Sequence, residues 1–305
     1  MYPYSEKAEN KLIIIAGASG HLGLRITHHL IQKGAKVRAL IRKGSKNPSI
    51  AALRNSGAEI VEVDFNNHLR LAAALAGGAC MVSAVSGLRE VIVDLQIRLL
   101  NASVEASVPR FIPSDFCIDY TKLRPGTNRN LDLRREFNER LDRTNIRATS
   151  ILNGMFADLL TGQAPLVQFG LTKVIYWGNA DTEMDFTTME DTAHFTALAA
   201  LDATTPRYLR VAGEVANARD LAKAASLAKG EEFGIFRIGG LGLLAFMIKA
   251  ARTLFPQKKE VFPAWQGMQY LYDMLTGLPK LHPLDNHRYP EINWTPLREV
   301  LREGK

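Results

Sequence analysis

The chain has 305 residues, of which 47% are hydrophobic and 23% charged, with a formal net charge of +7 and only two cysteines, Cys80 and Cys117. That length supports a sizeable core in one large or two smaller globular domains. Neither cysteine stands in a C-x-x-C pair, which argues against a zinc site or a disulfide framework. Cys80 lies in an apolar run and reads as core, whereas Cys117 follows a loop-like Pro-Ser-Asp-Phe and reads as packing or a pocket wall. No run approaches the roughly 20 apolar residues of a membrane span. Met1 to Asn10 are polar and unlike a signal peptide, so no membrane attachment and a cytoplasmic location are expected. The positive charge suits anionic ligands, but the basic residues are scattered without interleaved aromatics, which makes nucleic acid an unlikely partner.

The first motif is Lys11-Leu-Ile-Ile-Ile-Ala-Gly-Ala-Ser-Gly-His-Leu-Gly23. Its apolar, β-branched run predicts a buried parallel strand. The glycines Gly17, Gly20 and Gly23 then carry the chain into an amphipathic helix. Bare backbone at such a turn can approach a pyrophosphate, and the helix N-terminus presents unpaired N–H groups and a positive dipole end. The spacing is G-x-x-G-x-x-G rather than the stricter G-x-G-x-x-G. Leu22, Ile26, His29, Leu30 and Lys33 follow at helical spacing, and Gly34 ends the helix.

Lys36 to Ile41 predicts the second strand, which runs into Arg42, Lys43, Ser45 and Lys46. An acidic residue near this point would favour the ribose 2′-OH of NAD. The basic cluster instead suits a 2′-phosphate, so the cofactor expected is NADP(H). A helix over 48–55, a strand over 58–63 and a helix over 68–76 come next. The strand ends in Asp64-Phe65, at a place suited to adenine. Ala79 to Val85 predicts the fourth strand and puts Ser83, Ala84, Val85 and Ser86 at its C-terminal edge, where open α/β sheets bind ligands. A long helix over 88–107, with Val91, Leu95, Leu99 and Ala102 on one face, leads to a fifth strand at Arg110 to Pro113. Alternating strands and helices predict a doubly wound parallel sheet.

Pro113 to Asn130 reads as a long polar loop, and such loops are often functional. It holds Asp115, Asp119, Tyr120 and Lys122. A helix over 131–143 carries Arg134 and Arg135 near its start and leads to one strand over 146–152, which ends in Asn153-Gly154-Met155-Phe156. Shorter strands at 173–177, 184–187, 209–212 and 233–238 then mix with helices at 189–201, 218–228, 241–254 and 265–275. Aromatic residues thicken toward the end at Phe255, Phe262, Trp265, Tyr270 and Tyr272, where the helical stripe reads as core or pocket wall. His28 and His29 are helix neighbours pointing apart, and His282 and His287 have no evident ligand partner, so no metal site is expected.

Three blocks, Gly17-Ala-Ser-Gly-His-Leu-Gly23, Arg110-Phe-Ile-Pro-Ser-Asp-Phe116 and Asp185-Phe-Thr-Thr-Met-Glu-Asp191, occur in order over residues 11–240. Together they resemble the NmrA-like and isoflavone-reductase-like branch of the atypical short-chain dehydrogenases. The resemblance implies an α/β, Rossmann-type doubly wound parallel sheet that binds NADP(H) within residues 1–155. It also implies a smaller α+β substrate domain over 156–305, interleaved with the sheet. Gly17, Ser19, Gly20, His21, Leu22 and Gly23 would face the pyrophosphate, and Arg42, Lys43 and Lys46 the 2′-phosphate. Asp64 and Phe65 would border adenine. Ser83, Ala84, Val85 and Ser86 would run beside the ribose. Pro113, Ser114, Asn153, Gly154, Met155 and Phe156 would border the nicotinamide.

The catalytic residues depart from the pattern. No tyrosine has a lysine four residues on, and Tyr120 has Arg124 there, which scarcely titrates. The resembled reductases carry a lysine at the start of the helix after Pro-Ser-(Glu/Asp)-Phe. One alignment of that helix puts Arg134 at the position and another puts Asn130 there. Arg134 as a carbonyl or anion contact, and Tyr120 facing the substrate, are the remaining catalytic candidates. Two functions follow: an oxidoreductase acting on a small apolar or aromatic carbonyl or enone, or a redox-sensing regulator that binds NADP(H) without turnover and signals through a protein partner.

Overall fold

The computed structural model describes residues 11–304, so the polar segment Met1 to Asn10 lies outside the described residues. The chain begins β1 (Leu12–Ala16), α1 (His21–Gln32), β2 (Lys36–Arg42), α2 (Ser49–Asn55), β3 (Glu59–Val63), α3 (His68–Leu75) and β4 (Cys80–Ser83). A π-helical turn, Glu90–Leu95, leads directly into α4 (Gln96–Glu105), followed by β5 (Arg110–Ile112) and α5 (Arg129–Leu141). Next come β6 (Arg147–Ala148), β7 (Ser150–Leu152), β8 (Met155–Phe156), β9 (Val167–Gln168), β10 (Lys173–Trp177), β11 (Met184–Thr187) and α6 (Met189–Leu201). The chain closes with β12 (Tyr208–Arg210), β13 (Glu214–Ala216), α7 (Ala218–Lys229), β14 (Gly234–Gly239), α8 (Leu241–Leu254), α9 (Ala264–Leu275) and α10 (Leu297–Val300).

These elements form two compact units. The first takes the chain up to Asp115 together with Leu133–Ile151 and Thr192–Leu209. Its centre is a six-stranded sheet in the order β3-β2-β1-β4-β5-β6. Every adjacent pair is parallel. This is the strand order of dinucleotide-binding doubly wound sheets, whose direction of winding reverses beside the first strand. Ile13 to Ala16 are fully buried, as a strand covered by helices on both faces requires. One core cluster joins Ile14, Leu40, Leu71, Met81, Leu99, Phe111 and Phe137. Arg110 is buried at the start of β5, where its guanidinium donates to the carbonyls of Ala199 and Ala200 and to the Thr205 hydroxyl.

The second unit comprises Phe116–Asp132, Leu152–Asp191 and the chain from Arg210 onward. It holds two three-stranded sheets, β14-β10-β9 and β13-β11-β8. Helix α7 starts at a capping box: Asn217 accepts from the Asp220 N–H, and the Asp220 carboxylate accepts in return from the Asn217 N–H. This reciprocal box satisfies two end groups of the helix.

Three local expectations need correction. The helix predicted over 88–107 is a π turn, Glu90–Leu95, followed by α4, while its predicted face stays inward, with Leu95, Leu99 and Ala102 in the core and Val91 packed against it. The single strand predicted over 146–152 is broken at Thr149 because its partner changes. The Thr149 N–H donates to the Phe111 carbonyl, while the Ser150 N–H donates to that of Arg207. The loop predicted over 113–130 is not a solvated excursion in its first half, since every residue from Phe111 to Tyr120 is buried. Such backbone must find internal partners, and Cys117 supplies one: its carbonyl accepts from the N–H groups of both Asn153 and Gly154.

Candidate functional site

In the first unit the glycine turn sits at the C-terminal edge of β1. Gly17 has φ +81°, and a Cβ there would lie 2.4 Å from the Ala84 carbonyl oxygen. A Cβ on Gly23 would lie 2.2 Å from the Gly17 carbonyl oxygen. Both clashes are with backbone, so both positions need glycine. Gly20 caps α1 without any side-chain hydrogen bond, and no acidic residue occupies the first turn. The positive end of α1 is therefore open to an anion. Ser19 is tied to the next crossover through its carbonyl, which accepts from Asn47 Nδ2 at 3.4 Å. His21 is exposed at the first helical position, Leu22 is half-buried beside it, and Ala18 is buried.

Arg42 at the end of β2, and Asp64 and Phe65 after β3, line one cleft of about 350 Å³. Asn66, Glu90, Val91, Leu95 and Arg98 complete it. The structure thus brings together three of the residues expected around the adenosine end. Lys43 and Lys46 are exposed in the neighbouring loop and are not among the lining residues. The helix side of the cleft was not foreseen. Val91 and Leu95 read as core at helical spacing, and Arg98, three residues beyond Leu95, falls on the same stripe.

Ser83, Ala84, Val85 and Ser86 leave the C-terminal end of β4 next to the glycine turn. The Ala84 N–H donates to the Ala16 carbonyl. Ser83 is fully buried, and its hydroxyl has no hydrogen-bond partner. Pro113 and Ser114 follow β5, where Ser114 Oγ donates to the Val85 carbonyl at 2.6 Å and its N–H to Gln96 Oε1 at 2.9 Å. Asp115 is buried and accepts from Asn138 Nδ2 at 2.8 Å and Ser150 Oγ at 2.6 Å. Arg207 donates to the same serine and asparagine. This carboxylate is therefore a structural tie between the end of β5, α5 and β7. Arg134 is buried on α5, and its carbonyl accepts from Asn138.

The second unit holds the remaining candidates. Asn153 is fully buried, and neither the oxygen nor the nitrogen of its carboxamide has a hydrogen-bond partner. Gly154 has φ +70°, and a Cβ there would lie 2.2 Å from the Asp185 carbonyl oxygen. Met155 and Phe156 are half-buried in β8, in register with Phe186 and Thr187 of β11. Burial raises the Asp185 carboxyl above its ordinary range, against the opposing pull of the Leu281 N–H and the Lys280 ammonium. Tyr120 is buried on a single 3₁₀ turn. Lys122 donates to the Lys280 carbonyl at 2.6 Å. Asn130 donates to the Val261 carbonyl. Trp265 is buried with the Arg129 guanidinium 4.6 Å from its ring centroid, so it is a packing element.

Two of these observations test the fit to a dinucleotide. The backbone cradle at Gly17 and Gly23 is one that any side chain would fill. In the same unit, the partnerless hydroxyl of Ser83 at the end of β4 is a buried polar group of the kind a ligand satisfies. The residues fit the group. Among the described residues no cluster of three or more His, Cys, Asp or Glu could hold a metal ion, and no helix is long and apolar enough to cross a membrane.

Sheet order, glycine turn and adenosine-side cleft together define a doubly wound protein with a dinucleotide-type site. The family follows from the sequence match: the model of the NmrA-like family matches residues 9–240, and the chain belongs to that family. Among curated relatives, a bifunctional pinoresinol-lariciresinol reductase of Linum usitatissimum is 27% identical over 310 residues, covering 95% of this chain and 97% of the relative. Pinoresinol reductase 1 of Arabidopsis thaliana is 27% identical over 207 residues, covering 63% of this chain and 65% of that protein. The solved structure of AtPrR2 with NADP+ and (+)pinoresinol superposes with a TM-score of 0.82 at 24% identity, covering 96% of this chain and 98% of the other.

Proposed function

We propose that this protein is an NADPH-dependent reductase of a small aromatic or apolar molecule, with a carbonyl or enone as the acceptor group. The observation that carries the reading is the glycine turn at the open N-terminus of α1, set on the central strand of a 3-2-1-4-5-6 sheet with Arg42 at the neighbouring strand end. Sequence relatives that are pinoresinol and lariciresinol reductases support an aromatic substrate. Bound NADPH supplies hydride, and the protein supplies position and electrostatics.

In this reading Gly17 to Gly23 hold the pyrophosphate on backbone N–H groups, and Ser83 to Ser86 flank the ribose. Arg42, with Lys43 and Lys46 behind it, selects the 2′-phosphate. Asp64 and Phe65 border the adenine. Pro113, Ser114 and the Asn153 to Phe156 segment orient the nicotinamide end, and the Asn153 carboxamide offers both a donor and an acceptor for that purpose. Arg134 and Tyr120 are the candidates for polarising the acceptor and contacting the substrate. Residues 1–155 take the cofactor role and residues 156–305 the substrate role, and a cytoplasmic location accompanies this reading.

One observation favours the second reading, a regulator that binds NADP(H) without turnover. The two positions on α5 that align with the reductase lysine are Asn130 and Arg134, and neither is an acid or base near neutral pH. A single experiment separates the two. Purified protein is mixed with NADPH and a panel of pinoresinol, quinones, aromatic aldehydes and phenolic ketones, and absorbance at the nicotinamide band is followed. Oxidation with any member establishes the reductase. Tight NADPH binding with no oxidation across the panel refutes it in favour of the regulator.

A further inference from the structure

The helix wall of the adenosine-side cleft carries one residue out of character. Glu90, Val91, Leu95 and Arg98 line that cleft together with Arg42, Asp64, Phe65 and Asn66. Val91, Leu95 and Arg98 form one stripe, and Arg98 is the only cation on it. Leu95 is buried, while Val91 and Arg98 are half-buried. The Nε of Arg98 is shielded from solvent and has no hydrogen-bond partner. A guanidinium has donors only, so a buried Nε–H calls for an acceptor that the protein does not provide. The i, i+4, i+7 spacing of Val91, Leu95 and Arg98 puts all three on one helix face. A π-helical turn, Glu90–Leu95, opens that helix, and such turns recur at functional sites.

We infer that Arg98 is a second guanidinium for the 2′-phosphate of NADP(H), acting with Arg42 and making the cleft specific for the phosphorylated cofactor. The inference rests on the dinucleotide-binding reading above. Two arginines from separate elements line one cleft, and a phosphate monoester offers several acceptor oxygens to planar donors of that kind. Arg42 comes from the end of β2, where sequence reasoning already places a phosphate contact. Arg98 comes from α4, where it does not.

The test uses the whole chain and titration calorimetry with two probes, 2′,5′-ADP and ADP, which share adenosine and a 5′-phosphate but differ in the 2′-phosphate. Arg98→Met should weaken 2′,5′-ADP by about tenfold or more and ADP by less than about twofold. Arg98→Lys keeps the charge without the fork and should fall between the two. It also serves as the test variant if Arg98→Met does not fold, which the thermal unfolding of the free protein reports. Equal weakening of both probes would assign Arg98 to adenine contact or packing and overturn the inference, as would no change in either. If the unmodified protein binds both probes equally well, the 2′-phosphate role fails while dinucleotide binding stands. If it binds neither, the dinucleotide reading itself fails.

Discussion

The Cα of Gly17 and the carbonyl of Ala84 approach so closely that a methyl group on the glycine would stand 2.4 Å from that oxygen. The contact joins the turn after β1 to the segment after β4, the two strand ends that flank the reversal of winding in the sheet. A side chain at Gly17 must therefore move backbone on one side or the other. The left-handed φ of +81° adds a second penalty. Gly17→Ala is expected to lose NADPH binding and to destabilise the fold by about 2 kcal/mol or more. Denaturant unfolding and nucleotide titration check both effects, and a stable variant with intact binding would show that the turn does not hold the pyrophosphate.

Arg42 and Lys46 are separable. Arg42 lines the adenosine-side cleft and Lys46 does not. Arg42→Ala should weaken NADPH about tenfold or more while changing NADH little, and Lys46→Ala should have a smaller effect of the same kind. Equal losses for NADPH and NADH in Arg42→Ala would remove the argument for NADP(H) preference.

Asp273 makes stability fall with rising pH. It is buried on α9 and accepts from Asn128 Nδ2 at 2.9 Å, and burial raises its pKa to about 6 from the ordinary 3.8. The folded state therefore binds this proton more tightly than the unfolded state. Its contribution is fully present below about pH 3.8 and is lost as pH rises to about 6. A shift of that size corresponds to up to roughly 3 kcal/mol. Asp273→Asn keeps an acceptor for Asn128 and should flatten this segment of the profile, leaving the variant more stable than the parent at neutral pH. Asp185 and Asp191 are also raised, chiefly by burial, and contribute with the same sign. Urea midpoints measured from pH 4 to pH 7.5 decide the point, and identical profiles for parent and variant would refute it.

The thiols should be inert in the folded protein. Both cysteines are free and buried, and burial pushes the Cys80 thiol up to about 11. The thiolate, which is the reactive form, is then scarce at neutral pH. A chromogenic disulfide reagent should label neither cysteine at an appreciable rate in buffer and both in denaturant. Fast labelling of Cys117 alone would instead make it the pocket wall that its loop-like sequence context suggested.

Much of this architecture is legible before folding because it depends on local rules. The Leu12–Ala16 run, the glycines at 17, 20 and 23, the basic residues after β2 and the Asn217 cap act through nearest neighbours, and each stands where periodicity and turn chemistry put it. The family could be read the same way, from three short blocks spread over residues 11–240. Tertiary structure decided what depends on partners distant in sequence. Thr149 breaks a strand because its N–H bonds Phe111 while the next N–H bonds Arg207, and no local pattern encodes that change of partner. The loop after β5 looks solvated by composition, yet its first half is interior because Cys117 and Asp115 bond to segments 20 to 40 residues away. Arg98 reads as an ordinary helix arginine until the packed chain shows that it lines one cleft with Arg42. Sequence alone determined the kind of fold and its phosphate-binding turn. Which polar groups are buried without partners only the packed chain could decide, because burial is a property of the whole and not of any segment.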